Sequence, residues 1–403
     1  MTTGATVLVT DADRGSAVTI IRSLGRHGWR VIAADANAKS VGFSSRYCYG
    51  RVVYPNPALA ADRFVEVLHR AVEEHDVALV VPVTDEVIQP LVRARQKFEG
   101  HCQLAIPEKE VLDQTTDKRK TLSLAQRIGV PVPETRVVRT TEEACEAAES
   151  LRWPVVLKPA VSRKLDPERG VVDAFTVSYA NSLDELCERM LYFDGRHDLL
   201  LQEYCGGTGC GVEVLAWKGR VLAAFQHKRL AELPLTGGVS AWRESVVLDP
   251  VLYGHATRLV EEIGWSGLLM VEFKGESDAR LMEINGRIWG SLPLAVMSGM
   301  DFPARLADLY AEGPPGPGEP ATDYRVGVRA YNCELILKWI VRVLLGHRGP
   351  CYLATPRRRQ VAAALWALLS FRQRSDLSCP DDRRPAVAEF FKIARKVFGR
   401  RKS

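Results

Sequence analysis

"MVEFK" at residues 270–274 and "LMEINGR" at residues 281–287 are the stretch that decides the fold. Both segments are apolar apart from a few polar positions, which predicts two neighbouring β-strands. Side chains alternate between faces along a strand, so the polar residues of the second segment point the same way, beside the carboxylate of the first. Two carboxylates and an amide oxygen suit a hard cation such as Mg²⁺. The sequence therefore predicts a metal site built from Glu272, Glu283 and Asn285.

Arg287 lies two residues beyond Asn285 and adds a forked donor that suits phosphate or carboxylate. An exposed strand with polar residues facing outward is the alternative interpretation. It does not account for the polar residues together, because the residues around them, among them Val271, Phe273 and Ile284, are apolar.

Upstream segments place further polar residues at the ends of apolar runs. Lys118 lies at the start of a predicted helix that ends near Gly129 and is followed by a Val-Pro-Val-Pro run. Lys158 lies at the end of a predicted strand. Residues 199–204 form another apolar strand, which leads into the glycine-rich segment 205–211 and a further strand.

These elements, in this order and spacing, resemble the ATP-grasp superfamily, and within it the carbamoyl-phosphate-synthase-like carboxylate–amine ligases. The resemblance covers about residues 113–312. It implies an α/β chain with the ATP-grasp fold, in which two α+β subdomains clasp ATP, preceded by a Rossmann-like preATP-grasp domain. A helical C-terminal extension would follow.

The resemblance also implies ATP and Mg²⁺ as cofactors, with Mn²⁺ as an alternative ion. The residues that would hold the nucleotide are the phosphate ligands Lys118 and Lys158, the adenine-hinge residues Glu203, Tyr204 and Cys205, and the ribose candidate Glu213.

Catalysis and substrate recognition are implied in the same way. Arg287 would stabilise the transferred phosphoryl group or the acyl phosphate. Residues 226–245 are polar within an apolar scaffold, which predicts a long functional loop. Its candidates for the substrate carboxylate are His227, Arg229 and Arg243, and a solvated charged loop is the alternative.

Residues 6–112 alternate short apolar strands with amphipathic helices, which predicts a parallel sheet covered on both faces. The loop after the first strand is not GxGxxG, so a dinucleotide site is not expected. We predict three domains: 1–112, preATP-grasp; 113–312, ATP-grasp, with a lid at about 134–200; and 313–403, a linker and a basic helical extension.

The segment 160–170 departs from the family pattern, since it holds one glycine where the family has a glycine-rich phosphate loop. Ser162, Arg163 and Lys164 would replace some of the loop amides with side-chain contacts, or the segment would form a mobile lid.

Composition favours a cytoplasmic enzyme. Apolar residues make up 46% and charged residues 26% of the 403 residues. We expect neither a signal peptide nor a transmembrane helix, because the first residues lack a basic region and no run of 18 apolar residues occurs. The nine cysteines lack a CxxC pair, which is typical of reduced thiols.

The C-terminal region is strongly basic, with 15 Lys and Arg against 4 Asp and Glu in residues 341–403. The helix expected at 386–398 has an apolar side and basic residues. We expect that side to pack on the protein body, with weak contact with an anionic membrane surface as the alternative. No nucleic-acid partner is expected, and a homodimer is left open.

The function that the resemblance implies is an ATP-dependent carboxylate–amine ligase. It would join a small carboxylic acid to an amine such as an amino acid through an acyl phosphate, releasing ADP and phosphate. The alternatives are carboxylation or kinase-like phosphoryl transfer, and a non-catalytic nucleotide-binding assembly protein.

Overall fold

The structure is a computed structural model. It describes residues 4–399 apart from 162, 167–169, 174–176, 194–197, 347–352, 354–355 and 371–372, and apart from the side chains of 163–166, 170–173 and 397–399.

The N-terminal sheet has five parallel strands in the order β3-β2-β1-β4-β5. Its strands are β1 (Thr6–Val9), β2 (Arg30–Asp35), β3 (Cys48–Val53), β4 (Val77–Val81) and β5 (Gln103–Leu104). Its helices are α1 (Gly15–Arg26), α2 (Ala61–Glu74) and α3 (Asp85–Arg93), with 3₁₀ turns at Val41–Ser44 and Arg95–Lys97. The central strands are buried on both faces, as their continuous apolar runs predict. This confirms the predicted Rossmann-like sheet.

A small antiparallel sheet follows, in the order β10-β7-β11-β6. The elements are α4 (Lys109–Thr116), α5 (Lys118–Arg127), β6 (Thr135–Val138), α6 (Thr141–Ala148), β7 (Val155–Pro159), the hairpin β8 (Arg163–Asp166) and β9 (Gly170–Asp173), β10 (Ser178–Ala180), α7 (Leu183–Met190) and β11 (Leu199–Glu203). Helices α6 and α7 pack on one face of the sheet through a core that includes Ala144, Leu157, Leu186 and Met190.

The large sheet has seven strands in the order β16-β15-β12-β13-β14-β17-β18 and is antiparallel except for its last pair. Its strands are β12 (Thr208–Trp217), β13 (Arg220–Leu233), β14 (Val239–Ser245), β15 (Gly267–Gly275), β16 (Arg280–Asn285), β17 (Arg329–Tyr331) and β18 (Arg374–Ser375). The helices of this part are α8 (Pro250–Ile263), α9 (Leu292–Ser298), α10 (Phe302–Glu312), α11 (Cys333–Leu344), α12 (Arg358–Leu369) and α13 (Arg384–Gly399). Together the sheets form the predicted ATP-grasp fold with a helical C-terminal region.

The prediction of a long loop at residues 226–245 is wrong. The segment is a strand–turn–strand hairpin, in which β13 and β14 pair from His227↔Ser245 to Leu233↔Val239. The charged residues are accommodated in the sheet because they pair with each other, as in the Lys228–Glu244 salt bridge at 3.1 Å.

The C-terminal segment returns to the N-terminal sheet. Buried Arg22 on α1 donates Nε to Oδ2 of Asp382 at 2.9 Å and Nη2 to the carbonyl of Leu377 at 3.0 Å. Helix α13 packs against the 3₁₀ turn at Val41–Ser44, and its Lys392 pairs with Asp13. Part of the helix therefore packs on the protein body, through Ala386 and Ala388. The larger apolar side chains of Val387, Phe390 and Phe391 are exposed, so the expectation that the apolar side is covered holds only in part. Contact of the helix with a membrane surface has no support. Among the described residues no helix is both long and apolar enough to cross a membrane.

Candidate active site

Glu272 on β15 and Glu283 on β16 stand directly opposite each other in the antiparallel ladder. Asn285 lies two residues beyond Glu283 on the same face of β16. Its Nδ2 donates to Oε1 of Glu272 at 3.0 Å and to Oε1 of Glu283 at 3.3 Å. The alternation of side chains along the two strands therefore brings all three to one point.

Basic side chains surround the two carboxylates unequally. Arg229 on β13 contacts Oε2 of Glu272 at 2.5 Å, and Lys118 lies 3.7 Å from Oε2 of Glu283. Burial raises the pKa of Glu272 despite the charge of Arg229. Burial also acts on Glu283, but the charges of Lys118, Lys158 and Arg287 outweigh it and lower the pKa of this carboxyl. The surrounding positive charges therefore favour the charged form of Glu283.

The two predicted phosphate lysines come from different elements. Lys118 begins α5, where the side chain of Asp117 caps the helix by accepting from the backbone N–H of Arg119. Lys158 on β7 donates Nζ to Oε1 of Gln202 on the paired strand β11, at 2.7 Å. Burial lowers the pKa of Lys158 to about 8. The charge of Glu283 acts on Lys158 in the opposite direction, so both lysines lie within the electrostatic reach of one carboxylate.

Arg287 lies beyond the end of β16 rather than within the strand. Gly286 precedes it, and a Cβ at this glycine would come within 2.6 Å of the buried ring of Trp265, so the close approach requires glycine. Arg287 donates Nε to Oδ2 of Asp85 at 2.9 Å. Asp85 begins α3, just after the carboxyl end of β4. This ion pair joins the strands of the candidate metal site to the carboxyl edge of the parallel sheet, the edge at which such folds bind ligands.

A cavity of about 400 Å³ lies between the small sheet and the large sheet. Its lining includes the predicted hinge residues together with Trp153, Lys274 and Arg280. Lys274 places its Nζ 5.2 Å from the centre of the Tyr204 ring. The cavity is therefore lined by aromatic and basic side chains.

Several polar groups of the hinge residues Glu203 and Tyr204 already have partners within the protein. The carboxylate of Glu203 pairs with Arg152 at 2.8 Å, and its backbone N–H donates to the carbonyl of Glu134. The backbone N–H of Tyr204 donates to the carbonyl of Pro154. These two amides therefore already have partners within the protein. Cys205 lines the cavity.

Glu213 and His227 lie inside the large sheet, contrary to their predicted contacts with ribose and substrate. Both side chains are at most 1% exposed, and Oε1 of Glu213 lies 2.5 Å from Nδ1 of His227. Burial raises the pKa of Glu213 and lowers that of His227. Gly211 leaves room for the pair, since a Cβ there would come within 2.8 Å of the imidazole. Neither side chain is therefore exposed to solvent in this conformation.

Arg243 also differs from its prediction as a ligand of the substrate carboxylate. Its side chain is 1% exposed and forms a buried ion pair with Asp376 of the C-terminal segment. Arg229 lies at the site, but there it contacts Glu272 and also Glu232 at 3.0 Å. Arg243 is thus paired within the protein, and Arg229 pairs with a carboxylate of the candidate metal site.

Sequence reasoning missed the partners that hold the site residues, namely Gln202 for Lys158 and Asp85 for Arg287. Asp85 had a signal, because its loop follows a parallel strand. Gln202 had none beyond its position in an apolar strand. Of the predicted loop contacts, Ser162 lies outside the described residues, as do the side chains of Arg163 and Lys164.

The donor set fits Mg²⁺. Two carboxylates and one amide lie within hydrogen-bonding reach of a common point, and all offer oxygen. The amide would turn its Oδ1 inward, an exchange of orientation that leaves the strand in place.

Two family models match the chain. A family described as "ATP-grasp in the biosynthetic pathway with Ter operon" matches residues 195–332, and an "ATP-grasp domain" family matches residues 109–170. Curated carbamoyl phosphate synthase large chains are similar: that of Deinococcus radiodurans is 23% identical over 316 residues and that of Thermus thermophilus 24% over 318. The matches cover 74% of this chain but 28% of those relatives.

A relative of similar length also matches. The formate-dependent phosphoribosylglycinamide formyltransferase of Ignicoccus hospitalis is 24% identical over 293 residues, which are 68% of this chain and 67% of that protein.

Solved structures share the fold. An N5-carboxyaminoimidazole ribonucleotide synthetase with ADP superposes with a TM-score of 0.62 at 15% identity, covering 91% of this chain and 96% of that one. The biotin carboxylase domain of the Hydrogenobacter thermophilus 2-oxoglutarate carboxylase, in complex with MgADP, ADP and bicarbonate, gives 0.61 at 19%, covering 80% and 73%. The L-amino acid ligase of Bacillus licheniformis gives 0.57 at 14%, covering 77% and 75%. The chain is therefore similar to the ATP-grasp superfamily, with residues 109–170 and 195–332 matching ATP-grasp family models, and the relatives that it matches include large chains of carbamoyl phosphate synthase.

Proposed function

We propose that this protein is an ATP-dependent carboxylate–amine ligase that forms an amide bond through an acyl phosphate and releases ADP and phosphate. One observation carries the proposal: Glu272, Glu283 and Asn285 meet at one point, with Lys118 close to Glu283 and Lys158 within reach of its charge. Carboxylates for a cation beside lysines for phosphates are the parts that phosphoryl transfer needs.

The nucleotide would lie across the gap between the two antiparallel sheets. Its base would enter the cavity beside Tyr204 and Cys205, and its phosphates would extend towards Lys118 and Lys158. When bound by Glu272, Glu283 and Asn285, Mg²⁺ supplies positive charge to the phosphate oxygens. The lysines would add point charges from the side of the small sheet.

The acid substrate would lie between Arg287 and the carboxyl edge of the parallel sheet. Asp85 fixes the orientation of the guanidinium at this edge. A carboxylate oxygen of the acid would attack the γ-phosphorus, with ADP leaving. The amine would then attack the acyl carbon, phosphate would leave, and the amine would lose a proton to solvent. Positioning carries most of this chemistry, so no side-chain nucleophile is needed.

A trapping experiment tests the proposal. Purified protein is incubated with ATP, Mg²⁺ and pools of carboxylic acids, with hydroxylamine in place of the natural amine. An acyl phosphate would give a hydroxamate in equal amount to ADP, and mass spectrometry of the hydroxamate would identify the acid. Pools of amines would then identify the second substrate.

Other products would overturn the proposal. Stoichiometric AMP and pyrophosphate would show chemistry at the α-phosphate. ADP release that depends on bicarbonate alone would indicate carboxylation, and a stable phosphorylated product would indicate a kinase. Nucleotide binding without turnover in any pool would favour a non-catalytic assembly protein.

A further inference from the structure

A second group of metal-ligating side chains lies on the N-terminal domain, separate from the carboxylates of β15 and β16. It consists of His69 and Glu73 on α2 and His101 in the turn that precedes β5. In the part of the chain that the structure describes, their candidate ligand atoms all lie within 4.8 Å of one another. We propose that these three residues form a binding site for a divalent transition metal of the Zn²⁺ class.

Two local features bring the three side chains together. The spacing of four residues places His69 and Glu73 on one face of α2. His101 is held by a turn in which the backbone N–H groups of His101 and Cys102 both donate to the carbonyl of Phe98, each at 3.1 Å. The buried ring of Phe98 also packs edge-on against His69, with ring centres 5.5 Å apart. One core residue thus anchors both histidines.

The distances resemble an open metal site more than a closed hydrogen-bonded cluster. Nδ1 of His69 lies 3.5 Å from one oxygen of Glu73, and Nδ1 of His101 lies 3.9 Å from the other. Both separations exceed a normal hydrogen bond. Ligands about 2.1 Å from a tetrahedral Zn²⁺ are roughly 3.4 Å apart. Small side-chain rotations would therefore bring all three onto one ion.

The ligand chemistry sets the class of ion. Two imidazoles and one carboxylate suit Zn²⁺, Co²⁺ or Ni²⁺, whereas Mg²⁺ prefers oxygen. The exposed fractions are 25% for His69, 53% for Glu73 and 45% for His101, so the group is reached from solvent. Three protein ligands would leave a coordination position open to water or to another molecule.

The test measures Zn²⁺ binding to the full chain by calorimetry, with excess Mg²⁺ present to occupy the carboxylate site. Co²⁺ absorption spectra then report nitrogen coordination. We expect Glu73→Gln and His101→Ala to weaken binding by more than the roughly 10–100-fold that loss of an outer-sphere partner causes. Glu74→Gln and His75→Ala, at neighbouring positions of the same helix end, should bind like the parent protein.

Two results would overturn the site. One is equal Zn²⁺ affinity in the parent protein and in both cluster variants. The other is loss of Zn²⁺ binding in Glu283→Gln but not in His101→Ala, which would place the ion at the carboxylates. Thermal unfolding in the presence of a chelator shows whether each variant is folded. If His101→Ala does not fold, Glu73→Gln alone tests the site.

Discussion

The oxygens of the candidate metal site already have partners before any cation binds. Glu272 accepts from Asn285 and contacts Arg229, while Glu283 accepts from Asn285 and faces Lys118. These contacts fix the two carboxylates in orientation. Binding of a cation would therefore mainly require the amide group of Asn285 to turn its Oδ1 towards the ion, and the strands would stay in place. Such preorganisation is what an electrostatic catalyst requires.

Glu283→Gln tests this arrangement with little change of shape. Three nearby positive charges keep the pKa of Glu283 low, so the substitution removes a charge that is present at neutral pH. We expect turnover to fall by about 100-fold or more, the effect of losing one preorganised electrostatic group. ADP release at saturating ATP measures it, with Glu319→Gln on the surface as the control. A near-parental rate in a folded Glu283→Gln protein would show that the metal site is misplaced.

Lys158 predicts a pH dependence. Burial lowers its pKa to about 8, so its ammonium loses its charge as the pH rises above that value. We expect kcat/KM for ATP, which reports the free enzyme, to fall above about pH 8. Lys158→Arg should keep the charge and flatten the profile.

Unfolding does not explain that loss. The pKa of Lys158 is depressed in the folded protein, so its charge costs stability below about pH 8, and this cost disappears as the pH rises towards the ordinary lysine value. The contribution of Lys158 to stability thus increases over the range in which activity should fall. Identical pH profiles for the parent protein and Lys158→Arg would exclude this residue as the cause.

Residue types in a strand pattern predicted that Glu272, Glu283 and Asn285 lie together, but did not predict their partners. The alternation of side chains between the two faces of β16 is a local property, so it can be predicted directly from the sequence. The contacts Arg229–Glu272 and Asp85–Arg287 join residues far apart in the chain. His227 was misplaced because a polar residue in a strand can face either solvent or a buried partner, and here Glu213 supplies that partner.

At the scale of elements, apolar periodicity predicted the parallel sheet and the small sheet well. The hairpin of β13 and β14 was missed because its charges resemble those of a loop. Strand pairing neutralises them: Lys228 contacts Glu244, and Glu244 also accepts from Arg329 of the next strand. The sequence shows where each charged residue occurs but not which residue lies beside it on the next strand. The free-energy cost of placing a charge in a sheet depends on that cross-strand neighbour.

Two cysteines on the helices that cover the small sheet lie close enough for us to expect that they can form a disulfide. Cys145 on α6 and Cys187 on α7 have their sulfur atoms 3.1 Å apart. The hydrogen bond with Cys187, together with burial, raises the pKa of Cys145 to about 11. We expect a disulfide oxidant such as oxidised glutathione to link them slowly at neutral pH and faster at high pH, because the thiolate is the attacking form.

Peptide mass mapping without reductant measures the link. Cys187→Ser should abolish the cross-linked peptide, and Cys333→Ser should leave it unchanged. If oxidation at high pH modifies other thiols but never joins these two, the helices are farther apart than the structure indicates.

At the scale of the whole molecule, the C-terminal segment ties the sheets together. Arg243 of the large sheet pairs with Asp376, and Arg22 of the N-terminal domain pairs with Asp382. Residues 376–382 thus form one buried ion pair with the large sheet and another with the N-terminal domain. The sequence predicted that this region is basic and helical. It did not indicate that Asp376 and Asp382 anchor the region, because these two aspartates lie among many basic residues. The domain boundaries themselves stay a prediction.

Asp382→Asn should destabilise the protein. Asp382 accepts from Arg22, from Oγ of Ser45 at 2.7 Å and from the backbone N–H of Arg46 at 3.0 Å. The substitution would leave the buried guanidinium without a counter-charge, at a cost of about 3–5 kcal/mol. Thermal unfolding should show a lower Tm than in the parent protein, with the exposed Asp323→Asn as the control. An unchanged Tm would mean that this pair contributes little to stability.

The pairing of Arg22 with Asp382 also bears on how the chain is made. The partners are 360 residues apart, so a ribosome completes α1 long before it reaches the aspartate. At about 5–20 residues per second, this interval is on the order of 20–70 s. During translation the guanidinium of Arg22 must stay hydrated, and the surface that later receives residues 376–391 stays open. Nascent chains should therefore offer this surface to chaperones until translation is nearly complete.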